Sequence, residues 1–184
     1  IVFQAAGGRP RVLCGQGVAP AGATIEAYTA LGLDRVPGSG VLAATVPGAF
    51  DAWMLLLRDH GTMTVRDVLD HAIGLCERGH PVLDRVSRAI NTVAPVFARH
   101  WPGSAELYLP HGLAPAPGAR LRNPALAALH RRIITEAEAV GADREAQIEA
   151  ARHTWSRGFV AEAVDAFLCA PVPGPTGEPQ QAFL

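Results

Sequence analysis

From Phe50 onward, apolar residues return every three or four positions, and each run is bounded by a capping residue or a glycine or proline stop. That rhythm belongs to amphipathic helices and is incompatible with a strand, whose side chains alternate with a period of two. Phe50, Trp53, Met54 and Leu57 form the first stripe, with Pro47 near its start and Gly61 at its stop. Thr64 and Asp67 have the spacing of a capping box, in which each side chain satisfies an orphan backbone donor. Val65, Val68, Leu69, Ala72, Ile73 and Cys76 line the helix that follows, and Gly79 is expected to supply a left-handed cap. Asp84 is expected to open another helix through Val86, Ala89, Ile90 and Val93, broken at Trp101-Pro102-Gly103. Leu107 to Leu121 reads as a loop with short extended pieces. Asn123-Pro124 is a strong helix start, a capping side chain followed by proline at the first helical position. Leu126, Leu129 and Ile133 then form a stripe, Asp143 opens a helix carrying Ile148, Ala151 and Trp155, and Val160, Ala163, Val164 and Phe167 mark a last one.

The first part of the chain has no such rhythm. Ile1-Val2-Phe3 and Arg11-Val12-Leu13-Cys14 flank Gly7-Gly8-Arg9-Pro10, which predicts a hairpin. A short helix is expected around Ala21 to Leu31, and a third strand over Val41 to Val46, closed by Pro47-Gly48. The expected organisation is a strand-rich edge over 1–46, a helical region over 47–170, and a turn-rich linker over 171–184. All three are read as parts of one domain. The chain opens at Ile1 without Met and stops at the apolar pair Phe183-Leu184, so both ends are expected to be cuts in a longer protein.

Composition narrows the function classes. All sixteen basic side chains are arginine against seventeen acids, a net charge of −1 with no basic stripe, so nucleic acid is not an expected partner. No apolar run is long enough to span a membrane. Cys14, Cys76 and Cys169 are far apart and without CxxC spacing, which gives no support for a metal knuckle or redox pair. No metal or cofactor is expected. His71 and Cys76 do not share a helix face, and the adjacent pairs Asp59-His60 and Asp70-His71 diverge on a helix, so neither makes a dyad. Arg131-Arg132 reads as a solvated face, and Trp53, Trp101 and Trp155 as packing residues.

Three strings, in order, carry a family resemblance. The run Leu13-Cys14-Gly15-Gln16-Gly17-Val18-Ala19-Pro20-Ala21-Gly22-Ala23-Thr24, the corner Ala44-Thr45-Val46-Pro47-Gly48-Ala49-Phe50-Asp51-Ala52-Trp53, and Leu121-Arg122-Asn123-Pro124-Ala125-Leu126-Ala127 together resemble the large subunit of gamma-glutamyltranspeptidases. Gly79-His80-Pro81-Val82 and Trp101-Pro102-Gly103-Ser104-Ala105 fall between them in the family's order. The resemblance implies an α+β fold, here part of the four-layer αββα arrangement of N-terminal-nucleophile hydrolases, mostly its helical layer with a few N-terminal strands. It implies a precursor that cleaves itself, so that a new N-terminal threonine on the small subunit becomes the nucleophile, with its own α-amine as base. None of the threonines here matches that cleavage motif, so no catalytic residue is expected in this segment. The implied partners are the downstream small subunit and a gamma-glutamyl or other acyl-amide small molecule.

One departure bears on substrate. Where glutamate-specific members place an arginine against the substrate's α-carboxylate, this sequence has Gln16. A neutral amide cannot reproduce the charged planar fork of a guanidinium, and the exchange costs roughly 2–3 kcal/mol of carboxylate binding. Gln16 is the candidate substrate-binding residue; a turn residue between two glycines is the other reading. A non-catalytic helical scaffold is the alternative function, because the strongest local signals are caps and apolar stripes.

Overall fold

A computed structural model describes every residue except Ala5 and Leu184, so the last position of the expected linker lies outside the described residues. The chain runs β1 (Val2–Phe3), β2 (Arg11–Val12), α1 (Ile25–Ala30), α2 (Ala49–His60), α3 (Val65–Arg78), β3 (His80–Pro81) and α4 (Asp84–His100). It continues with α5 (Pro102–Tyr108), β4 (Arg120–Leu121), α6 (Pro124–Glu138), α7 (Arg144–Ser156), α8 (Phe159–Leu168), β5 (Val172–Pro173) and β6 (Pro179–Gln180). The strands form three separate antiparallel pairs, β1 with β2, β3 with β4 and β5 with β6. Val2 sits opposite Val12, the register the hairpin pattern requires.

Helix starts obey local chemistry. Thr64 and Asp67 close the capping box at the head of α3, satisfying two donors that the helix cannot pair internally. Asn123 accepts from the Leu126 N–H at 3.0 Å and Asp143 from the Ala146 N–H at 2.7 Å. The core lies where α3 meets α6, α6 meets α7, and α7 meets α2. Ile73, Ile133, Ile134 and Ile148 are its largest fully enclosed side chains, joined by Phe50, Met54, Val65 and Leu69. Each such aliphatic chain contributes about 1.5–3 kcal/mol on leaving water. Arginines seal its rim: Arg66 pairs with Glu138, Arg131 with Glu77, and Arg144 donates to the Leu57 and Arg58 carbonyls.

Several expectations are corrected. Val41 to Val46 is not a strand; Val41–Ala43 makes one 3-10 turn and the rest runs extended. Its one backbone bond to the earlier segment is Val46 N–H to Val18 O, which is too little for a ladder. The helix expected over Ala21 to Leu31 begins only at Ile25, because Ala23 N–H turns back to Pro20 O and Thr24 supplies the cap. Trp101-Pro102-Gly103 breaks α4 as expected, and Pro102 then suits the first turn of a further helix, α5. The expected loop over Leu107 to Leu121 therefore starts helical, and its end, Arg120–Leu121, pairs with His80–Pro81. Gly79 has a positive φ of 83° but an extended ψ of 148°, so it turns the chain into β3 rather than making the left-handed cap. The helix expected to open at Asp84 does begin there: Asp84 is the first residue of α4, ion-paired with Arg88, and Leu83 takes the cap position.

Face assignments needed the tertiary structure. Trp53 is 55% exposed, whereas its neighbour Ala52 is buried against the Gly15 segment. On α4, Ser87 and Ile90 are buried, and the Ser87 hydroxyl donates to Pro115 O at 2.7 Å. On α6 the interior face is Ala127, Ile133, Ile134 and Ala137, with Leu126 turned outward. No described helix is long and apolar enough to cross a membrane.

Candidate functional site

Gln16 lies on an extended stretch that crosses the corner leading into α2. The crossing is close enough to dictate its glycines. A Cβ at Gly15 would stand 2.8 Å from Ala52 Cβ, and one at Gly48 would stand 3.0 Å from the Gln16 carbonyl oxygen. At Gly17 a Cβ would fall on the Val46 carbonyl oxygen. The glycines flanking Gln16 thus serve close backbone approach, not a positive φ. Val46 N–H donates to Val18 O at 2.9 Å and locks the two segments together.

The Gln16 side chain is exposed, and its amide makes no hydrogen bond to the described residues. It therefore presents two donors and one acceptor at the crossing. Its backbone is fixed; its head group is available.

The corner is held from α7. The Trp155 indole N–H donates to Pro47 O at 3.1 Å, and its ring stacks on the buried Phe50 ring with centroids 4.6 Å apart. One turn earlier, Arg152 forks onto Asp51 in the first turn of α2, with its Nε 2.6 Å from Oδ1. The Asp51 carboxylate raises the guanidinium's pKa above the usual arginine value. Glu149 links Arg152 to Arg58; burial works against its charge, yet the two arginine hydrogen bonds hold its carboxyl below the ordinary range. Apart from Glu149 and Arg152, three positions apart on one helix, these partners were not readable from local pattern: Trp155 and Pro47 are 108 positions apart.

The other sequence candidates stay apart. His60 packs against the Phe3 ring at 4.6 Å and faces Arg11, while Asp59 is taken by Arg58. His80 sits in β3, and Arg131 and Arg132 are exposed but occupied, the latter stacked over Phe159. Sequence reading missed His130, whose Nδ1 is buried without a partner and whose pKa burial pushes down. Among the described residues, no His, Cys, Asp and Glu side chains gather in a group of three or more that could hold a metal ion.

Comparison with known proteins supplies the wider setting. The sequence model of the family described as gamma-glutamyltranspeptidase matches residues 1–163. The oxamate amidohydrolase proenzyme of Klebsiella pneumoniae is 38% identical over 136 residues, covering 70% of this chain and 25% of that protein. The solved structure of LmbA is 54% identical with a TM-score of 0.93, covering all of this chain and 31% of that one. Cephalosporin acylase from Bacillus halodurans is 26% identical with a TM-score of 0.74, over 91% of this chain and 29% of that one. The chain therefore spans less than a third of the length of each of these proteins. It carries a mostly helical part of their α+β N-terminal-nucleophile hydrolase fold. With matching motifs, matching fold and a family match over most of its length, the chain belongs to the gamma-glutamyltranspeptidase family.

Proposed function

We propose that these residues form the helical layer and part of the substrate-binding wall of a self-processing acyl hydrolase or transferase that cleaves amides other than gamma-glutamyl ones. Residues 1–184 are then one portion of a single domain, with the edge over 1–46 carrying the substrate contact and 47–170 the scaffold. The observation that carries the reading is Gln16. It stands on a rigid crossing, with its amide unengaged among the described residues, where the family's glutamate-specific members place an arginine.

The chemistry follows from that exchange. In such enzymes a threonine hydroxyl attacks the amide carbonyl, and its own α-amine takes the hydroxyl proton and passes it to the amide nitrogen. That nitrogen departs as an amine from the ester-linked acyl-enzyme, and water or a second amine then releases the acyl group and restores the hydroxyl. An uncharged amide at the Gln16 position can hydrogen-bond an acyl oxygen or an amide N–H but gives no charge-assisted pair to an α-carboxylate. Relatives named for oxamate and cephalosporin support an acyl amide beyond the gamma-glutamyl class, while one named glutathione hydrolase-like makes the glutamyl amide the comparison that the assay needs. The partner is the small subunit released from the same precursor.

The test uses the full-length protein that contains this segment. Intact-mass analysis is expected to find two chains, the second beginning with threonine. Assays with oxamate, a cephalosporin side-chain amide and gamma-glutamyl p-nitroanilide are expected to favour the first two. A single uncleaved chain with no amide hydrolysis would overturn the enzyme reading and leave a helical scaffold. Preferred turnover of the glutamyl anilide would overturn the substrate class alone.

A further inference from the structure

We infer that Trp155 is a positioning residue for substrate binding, acting through the Pro47 carbonyl on the crossing that carries Gln16. The inference rests on Gln16 being a substrate contact, and adds what holds it in place. Four other helices, α1, α3, α6 and α7, have their starts fixed by a side-chain cap, from Thr24, Thr64, Asn123 and Asp143. Helix α2, like α4, α5 and α8, has none: its cap position is Gly48, kept side-chain-free by the Gln16 carbonyl oxygen 3.0 Å from where a Cβ would stand. A helix start without a cap leaves its backbone donors and its entry angle unfixed.

Helix α7 supplies the missing constraint at two points one turn apart. Trp155 donates to Pro47 O immediately before the uncapped start, and Arg152 forks onto Asp51 immediately after it. The stack on Phe50, itself only 3% exposed, fixes the plane of the indole so that its N–H has one direction. Because Gly48 and Val46 touch the backbone at Gln16, Gly17 and Val18, a shift of the Pro47 peptide moves the Gln16 carrier with it. Trp155 touches no substrate in this account. It sets where the amide of Gln16 stands.

The variant Trp155→Phe keeps the ring stack and removes only the donor, which separates positioning from folding. In the full-length protein, hydrogen exchange at the Val46 amide, bonded to Val18 O, is expected to quicken by roughly three- to tenfold, the effect of one lost hydrogen bond. The Ala127 amide at the start of α6, bonded to Asn123 O, is expected to stay unchanged. With oxamate and gamma-glutamyl p-nitroanilide as probes, the loss is expected in KM more than in kcat. Trp155→Phe should add nothing further in a Gln16→Ala background, because both changes then act on one contact.

No quickening at Val46, or an equal quickening at Ala127, overturns the inference. So does a KM effect that simply adds to that of Gln16→Ala. The reading of Gln16 itself fails in a different way, by Gln16→Ala leaving KM unchanged for both amides; Trp155 then holds a corner with no bearing on substrate.

Discussion

The helical block over residues 49–168 and the segment over 1–46 are apolar to a similar fraction, about half of each, and use that apolar sequence in opposite ways. In the block, Ile73, Ile133, Ile134 and Ile148 are fully enclosed. In the first segment Leu42 is the one described hydrophobic residue classed as buried, while Val2, Val12, Val18 and Ile25 are 69–81% exposed. Helices close their own backbone hydrogen bonds and need only one face covered, so neighbours such as α3, α6 and α7 build a core among themselves. Extended chain needs a partner for its backbone as well as for its side chains. Among the described residues, the extended stretches of the first segment find backbone partners at β1–β2 and at the crossing near Gln16. Stability resides in the block, and the candidate binding contact resides on the segment it props up.

The sharpest way to break that contrast is a matched pair of truncations. Ile133→Ala, at the contact of α6 with its neighbours, should cost about 3–4 kcal/mol in urea unfolding. Val12→Ala, on the hairpin, should stay within about 0.5 kcal/mol. Equal costs would mean that the segment carries core energy that its exposure hides.

A smaller effect tests whether the block's helices stand on their caps. Thr64→Ala should lower stability by about 1 kcal/mol. Hydrogen bonds from the Thr64 backbone N–H and hydroxyl hold the Asp67 carboxyl below its ordinary range. A depressed carboxyl stabilises the fold above its unfolded value of about 4 and loses that contribution as pH falls through the folded value. The variant keeps the backbone N–H bond, the larger cause, and removes the hydroxyl, so it should flatten the acid limb of a stability–pH curve only in part; an unchanged limb would show that the hydroxyl contributes geometry alone.

The smallest effect concerns His130. Burial lowers its pKa, so the folded state resists the proton that the unfolded chain takes up below about 6.5. Stability should be unaffected above that value and decline as pH falls toward the folded pKa. His130→Gln should remove this decline, as read from melting temperatures at neutral and mildly acid pH.

How much of this was legible in the sequence depended on the range of the interaction. Caps at Thr64, Asn123 and Asp143 were readable because acceptor and donor lie within four residues. The helical period was readable for the same reason. Faces were read less well: Trp53 belongs to the right stripe by spacing, yet 55% of it remains in solvent. The strand expected over Val41 to Val46 failed because β-propensity supplies no partner, and only Val46 found one. Gln16 stood out only through family resemblance. The clamp on its carrier, Trp155 to Pro47 and Arg152 to Asp51, joins residues about a hundred positions apart, and no local pattern marks it.

The measurement that bears most directly on the account is the substrate preference of Gln16→Arg in the full-length enzyme. Restoring a charged fork on an unchanged backbone should raise kcat/KM for gamma-glutamyl p-nitroanilide relative to an uncharged acyl amide by about 30-fold or more, the equivalent of about 2–3 kcal/mol. An unchanged ratio, with melting temperature and self-cleavage intact, would contradict the claim that this crossing faces the substrate.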